Sequence, residues 1–289
     1  MTAWTAPALV RPGDTIAVVA PSSPFGRDDF WRGLAWLRSR YRILASPSIL
    51  DRAGYLAGSD KRRLQELASA MAHPEVRAIV AARGGYGATR IVDGLPWADL
   101  AKSPKWIVGF SDVTALHLEA TARGIPSIHG PHVTGLGRAD AETRYAFLRA
   151  LESTPHAWAK LTPIHEGNAE GVLVGGNLSL LYAMAAANRL QLPPKAIVLL
   201  EDVTERPYRV DRMLTALRPH LTSASAIVFG GFTQCDPGPD GIEIDAVLAE
   251  RTKALKIPVF QHAPFGHEDR NLSFRFGTKA KIENAVLRF

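Results

Sequence analysis

Ser111 stands in "WIVGFSDVTALHLEA", where an apolar run (Trp106, Ile107, Val108) closes in Gly109 and Phe110 and a helical pattern opens. A serine at that junction has two uses. Its oxygen can accept a hydrogen bond from a free backbone N–H in the first turn, as capping serines do. Alternatively, a sharp strand-to-helix turn lifts Oγ above the sheet as a nucleophile, close to the first N–H groups of the helix. "GFSDV" keeps a glycine two residues before the serine but lacks the second glycine of the G-x-S-x-G pattern.

A nucleophilic serine needs a base, and the base needs a group to orient it. Of nine histidines, His267 in "PFGHED" lies in a glycine-flanked loop after an apolar strand; His129, His262 and His117 are its rivals. Glu201 and Asp202 close the apolar run "IVLLED". A carboxylate there must be paired or hydrogen-bonded, because burying it alone is costly. Nothing local separates the two acids. "ARGGYG" (82–87) follows another apolar strand. Its glycines leave backbone N–H groups free to cradle an anion or to serve an oxyanion, the latter contributing roughly 3–4 kcal/mol per donor. The spacing fits neither G-x-x-x-x-G-K-[ST] nor G-x-G-x-x-G. Cys235, the single cysteine, precedes "DPGPDG" with no charge to lower its pKa, so it is a poor nucleophile and permits no internal disulfide.

These residues need elements to position them. "DTIAVVAPSS", "RILASPSI", "VRAIVAARGGYG", "WIVGF" and "IPSIHGP" read as five strands, alternating with helical patterns. The helix "DDFWRGLAWLRSRY" places Phe30, Leu34 and Leu37 on one face, "SDKRRLQELASAMAH" has Ser59 as N-cap, and "DVTALHLEATARG" has Gly124 as C-cap. That rhythm predicts an α/β fold with a doubly wound, mostly parallel sheet. Ligands on such sheets sit at the carboxyl ends of strands, where Ser111, His129, Glu201, His267 and the 84–87 loop all fall. The pattern predicts an N-terminal domain over 1–152, a linker over 153–170, and a smaller α/β domain over 171–289. In the second domain "LSFRFGTKAKIENAVLRF" alternates like a terminal β-hairpin.

The 289 residues suit two domains, given a prior of roughly 100–200 residues each. The net charge of +6 comes from scattered basic residues, the densest run being "KRR" (61–63) with Glu66 one turn on, so no nucleic-acid partner is expected. No run approaches the length of a membrane span, about 18–20 apolar residues. "MTAWTAPALVRPGDT" lacks the basic start and apolar core of a signal peptide, and a cytoplasmic location is expected.

Taken together and in order, "VRPGDTIAVVAPSSP", "YLAGSDKRRLQEL", "IVAARGGYGATRIVDGL", "VGFSDVTAL", "HGP", "GGNLSLL", "LLEDVTERPYRVDRML" and "PFGHED" resemble the LD-carboxypeptidase family, which includes the microcin C immunity peptidases. The resemblance spans nearly the whole chain. It implies a Rossmann-like N-terminal sheet of the class I glutamine amidotransferase type. It also implies Ser111 as nucleophile, His267 as general base and Glu201 as its orienter, in a cleft between the domains. Oxyanion donors would be the N–H of Asp112 and of Gly84 or Gly85. The activity implied is release of the terminal D-alanine from murein tetrapeptides during cell-wall recycling, by a homodimer with no metal or organic cofactor. Arg83, Arg209 and Arg270 are candidates for the terminal carboxylate; Tyr86, His129 and Asn177, in the matching motifs, are candidates for the rest of the muropeptide. Two alternatives stand beside this: an immunity-type peptidase cleaving peptidyl or aminoacyl adenylates, and a non-catalytic nucleotide or small-molecule binder using "RGGYG".

Overall fold

The computed structural model describes residues 4–153, 157–158 and 161–289. The chain divides into two compact units: Met1–Thr154 with Leu272–Arg275, and Pro155–Asn271 with Phe276–Phe289.

The first unit is built on β1 (Thr15–Val19), β2 (Arg42–Ala45), β3 (Val76–Ala81), β4 (Trp106–Gly109) and β5 (Ser127–His129). They lie in the order 2-1-3-4-5, each pair parallel. Every residue of β1 is buried, as a central parallel strand covered on both faces requires. Side chains alternate across a strand. Ile16 and Val18 therefore join one core with Phe30, Leu34 and Leu37 of the helix Arg27–Arg38 and with Phe147 and Leu151 of the helix Ala141–Glu152. The helix Asp60–Ala72 packs against β1 and β3 through buried Leu67, Ala70 and Met71. Ser59 caps it, its side chain accepting from Arg62 N at 3.2 Å. β2 is the edge, with Arg42 and Leu44 exposed. The chain runs outward from β1 to β2, then returns to β3, so the topological switch lies between β1 and β3. The loops leaving those strands, 20–24 and 82–88, carry the serines and glycines singled out above or beside them.

The second unit holds β6 (Ala157–Trp158), β7 (Thr162–His165), β8 (Ala169–Asn177), β9 (Ile197–Val203), β10 (Ala226–Thr233) and β11 (Val259–Gln261); β12 (Phe274–Phe276) comes next in the chain, then β13 (Lys279–Glu283) and β14 (Val286–Arg288). Its eight-stranded sheet runs β6-β14-β13-β8-β9-β10-β11-β7, parallel from β8 to β11 and antiparallel at both margins. The helix Pro207–Leu221 connects β9 to β10, and Ile244–Lys253 connects β10 to β11.

Two expectations change. The 153–170 stretch, expected as a linker, holds β7 and the start of β8; 154–156 and 159–160 of it lie outside the described residues. Pro163 is accommodated because β7 is an edge strand, where a missing N–H breaks no inner ladder. The terminal hairpin consists of β13 and β14 alone. The segment ahead of it, β12, becomes the other edge of the first sheet, beside β5. Alternation shows that a segment is a strand and is silent about which sheet receives it.

Arg275 anchors that returning segment. Its guanidinium lies 4.6 Å over the Trp106 ring and donates to Ala150 O at 2.7 Å and Ser153 O at 2.6 Å, closing the end of the helix Ala141–Glu152. Burial draws its pKa down to about 10. Replacing Arg275 by Met should lower the free energy of unfolding by about 2–4 kcal/mol, from two charged hydrogen bonds and one cation–π contact, measured by denaturant titration.

Candidate active site

In the first unit, Ser111 has φ +59°, in the left-handed region that β-carbon-bearing residues seldom occupy. It opens a 3-10 turn, Ser111–Val113, that leads directly into the helix Thr114–Ala122. No side chain caps the turn or the helix. Ser111 is therefore not an N-cap in this fold, and its strained backbone needs another reason. The side chain is partly exposed and rests against Gly84: a β-carbon added there would lie 3.0 Å from Ser111 Cβ and 3.2 Å from Oγ. A larger residue at 84 would crowd Ser111 and the His132 ring, forcing them to give way.

The glycine loop is braced from three sides. Ser23 N donates to Gly84 O at 3.1 Å, and Ser23 Oγ accepts from Tyr86 N at 3.1 Å. Gly85 takes φ +101°, which turns the chain between those two bonds. Arg63, fully buried, donates to Gly87 O at 2.8 Å and to Pro21 O, and pairs with Asp60. Asp112, next to the serine, accepts from Ala88 N at 2.8 Å; burial raises its pKa. The Ser111 turn and the glycine loop are thus cross-linked. Among the described residues, the N–H groups of Gly84, Gly85 and Asp112 meet no carbonyl acceptor. Such donors can receive a developing oxyanion.

In the second unit, Glu201 and Asp202 separate cleanly. Adjacent residues on β9 point to opposite faces. Glu201 has no exposed surface, and its Oε2 accepts from His267 Nδ1 at 2.7 Å. Asp202 faces the other way, accepting from Ser179 N at 2.9 Å, Ser179 Oγ at 2.7 Å and Asn177 Nδ2 at 3.0 Å. Its pKa is pushed up to about 6 by burial. His267 sits in the loop after β11, held by Gly231 N donating to Phe265 O at 2.9 Å. Burial draws its pKa down, but the charge and hydrogen bond of Glu201 outweigh this, and the net shift is upward.

The other candidates fall as follows. His117 is buried in a structural tie, Nε2 to Gly109 O and Nδ1 to Ser127 Oγ, both 2.9 Å; burial lowers its pKa to about 4 and keeps it neutral. His129 is fully buried and stacks on Phe274 at 4.9 Å. Asn177 caps the helix Leu178–Ala186, accepting from Leu180 N at 3.2 Å. Arg83 donates to Pro24 O at 2.6 Å, and Tyr86 is exposed, 5.9 Å from the Tyr55 ring. Arg209 is exposed, with Tyr208 and Glu205 as its neighbours. Burial raises the Cys235 thiol to about 11, unsuited to a thiolate nucleophile. His132 went unnoticed in the sequence. It stacks on Phe110 at 4.4 Å, its Nε2 lies 3.0 Å from Phe110 O, and its Cε1 would lie 2.9 Å from a β-carbon at Gly84. Only its place three residues beyond His129, at the end of a strand, hinted at this.

The His267–Glu201 pair has a measurable signature. The ring should titrate by NMR above the ordinary histidine value, about 6.5, and Glu201→Gln should lower it, since burial still acts against the charged ring and only the charge of Asp202 remains to raise it. The sign for stability follows: because the folded value is raised, the pair's stabilisation is complete below about pH 6.5 and is lost as pH rises through the folded value.

Residues 16–130 match the N-terminal domain of LD-carboxypeptidases and residues 170–282 match their C-terminal domain. A murein tetrapeptide carboxypeptidase of Pseudomonas aeruginosa is 32% identical, over 95% of this chain and 94% of that one. The crystal structure of a muramoyltetrapeptide carboxypeptidase from Oxalobacter formigenes superposes with a TM-score of 0.85 at 30% identity, covering 95% of this chain and 97% of that one. The microcin C7 self-immunity protein MccF shares the fold, with a TM-score of 0.87 at 22% identity and 98% of each chain covered. The chain belongs to the LD-carboxypeptidase family.

Proposed function

We propose that the protein is a serine carboxypeptidase that hydrolyses the L,D-peptide bond to the terminal D-alanine of murein tetrapeptides, in cell-wall recycling. The observation that carries the chemistry is the 2.7 Å bond from His267 Nδ1 to the buried Glu201. With Nδ1–H donating to the carboxylate, the tautomer leaves Nε2 as the proton acceptor. Ser111 Oγ attacks the carbonyl as its proton passes to His267. The tetrahedral oxyanion rests on the N–H of Asp112 and of Gly84 or Gly85. His267 then returns the proton to the departing amine of D-alanine, and water, deprotonated by the same ring, clears the acyl-enzyme. Family membership and the P. aeruginosa relative support murein peptide as substrate.

Ser111→Ala should cut D-alanine release from a murein tetrapeptide by about 10⁴-fold or more, with circular dichroism unchanged; release at the parental rate would remove Ser111 from the mechanism. Because His267 must be neutral to act and its pKa is raised, the acid limb of kcat/KM should lie above about pH 6.5. Faster turnover of a peptidyl adenylate than of the tetrapeptide would place the protein with the immunity peptidases instead.

A further inference from the structure

In the first unit, the segment 130–134 that follows β5 is tied to both halves of the Ser111 site. Gly130 N donates to Gly109 O at 3.1 Å, fixing one end of the segment to the end of β4. Thr134 donates twice to Ala82 O, from its backbone N and from Oγ1, each at 3.1 Å, fixing the other end just ahead of the glycine loop. His132 lies between these two ties and is 5% exposed. Its ring stacks on Phe110, with centroids 4.4 Å apart and planes 25° from parallel. Its Cε1 occupies the space that a β-carbon at Gly84 would need. The imidazole therefore fills the corner where the Ser111 turn meets the glycine loop.

Phe110 is almost fully extended, with φ −152° and ψ −169°, so its own N–H and C=O point to the same side. His132 Nε2 reaches both, at 3.3 Å from Phe110 N and 3.0 Å from Phe110 O. One ring nitrogen cannot accept from the N–H and donate to the carbonyl at once. With the proton on Nε2, the shorter contact is a hydrogen bond to Phe110 O, which also accepts from Val113 N at 3.1 Å. That carbonyl belongs to the peptide joining Phe110 to Ser111. A peptide is planar and tilts as a unit, and this plane is one of the two that define φ at Ser111, the angle held at +59°. Val113 holds the plane from inside the turn and His132 from outside it. We infer that His132 is a positioning residue: through Nε2 it holds the Phe110–Ser111 peptide and so aims Ser111 Oγ. The inference rests on the reading of Ser111 as nucleophile. A reacting group misplaced by about 1 Å loses about 10²-fold in rate, so a hydrogen bond that touches no reacting atom still governs turnover. Stacking alone would ask only for a flat ring at 132, whereas holding the peptide asks for a donor at the Nε2 position.

Three substitutions separate these demands. His132→Phe keeps the ring and removes the donor. His132→Gln removes the ring but returns an amide nitrogen as many bonds from the backbone as Nε2. His132→Asn puts that nitrogen where Nδ1 stood. In D-alanine release from a murein tetrapeptide, His132→Phe should lower kcat by about 30-fold with KM changed by less than about threefold. His132→Gln should return kcat to within about fivefold of the parent, and His132→Asn should not. Phosphonylation of Ser111 by a fluorophosphonate, which needs the serine but no peptide, should slow in the same order. Melting temperature is followed for every variant. A ring required only for packing gives the reverse pattern, with His132→Phe near the parental rate and His132→Gln impaired in step with its melting temperature. That pattern, a loss confined to KM, or His132→Gln no better than His132→Asn overturns the inference; the last comparison decides if His132→Phe does not fold. The parent and Ser111→Ala are measured alongside. A parent that is labelled at Ser111 yet releases no D-alanine removes the carboxypeptidase reading, and the labelling rates still decide the role of His132. A Ser111 that is neither labelled nor needed for release removes the nucleophile and this inference with it.

Discussion

Glu201 sits in the middle of a parallel sheet with none of its surface in water. A carboxylate in that position is tolerable only if a donor answers it, and the donor is the His267 ring at 2.7 Å. One contact therefore does two things. It compensates a buried charge, and it fixes which imidazole nitrogen carries the proton and which accepts. The loop that delivers His267 is shaped for this purpose: Gly266 passes so close to Glu201 that an added β-carbon would lie 3.2 Å from the carboxylate. The upward shift of the imidazole pKa follows from the same proximity.

The first unit solves a different problem, holding an unfavourable backbone conformation. Ser111 at φ +59° persists only because its surroundings over-determine it. Asp112 ties the turn to Ala88, Arg63 ties the far end of the glycine loop to the loop after β1, and Ser23 clamps the middle. These partners come from four separate stretches of chain at the topological switch between β1 and β3. The strain and the available N–H groups are two results of one arrangement: the turn that lifts the serine also leaves its neighbours' donors without carbonyl acceptors among the described residues.

Much of this was legible in the residues. Continuous apolar runs identified β1, β3, β4 and β9, because a strand covered on both faces has no polar side to show. Ser59 and Gly124 marked helix ends through local chemistry alone. Edge segments were harder. The 153–170 stretch looked like a linker because its strands lie at or near sheet margins, where polar residues and a proline are permitted. His132 was invisible, since its importance comes from stacking on Phe110, twenty-two residues away in sequence.

By itself the sequence determined the alternating α/β architecture, the placement of chemical groups at strand ends, and, through the order of its motifs, the family resemblance. Those features depend on periodicity and short-range patterns, which one dimension records in full. Only the tertiary structure showed which faces Glu201 and Asp202 take, and decided between cap and strained turn at Ser111 and between a hairpin and a strand of the first sheet at Phe274–Phe276. Each of those is settled by which face a side chain takes or which neighbour accepts a strand, and such choices are made by residues far away along the chain.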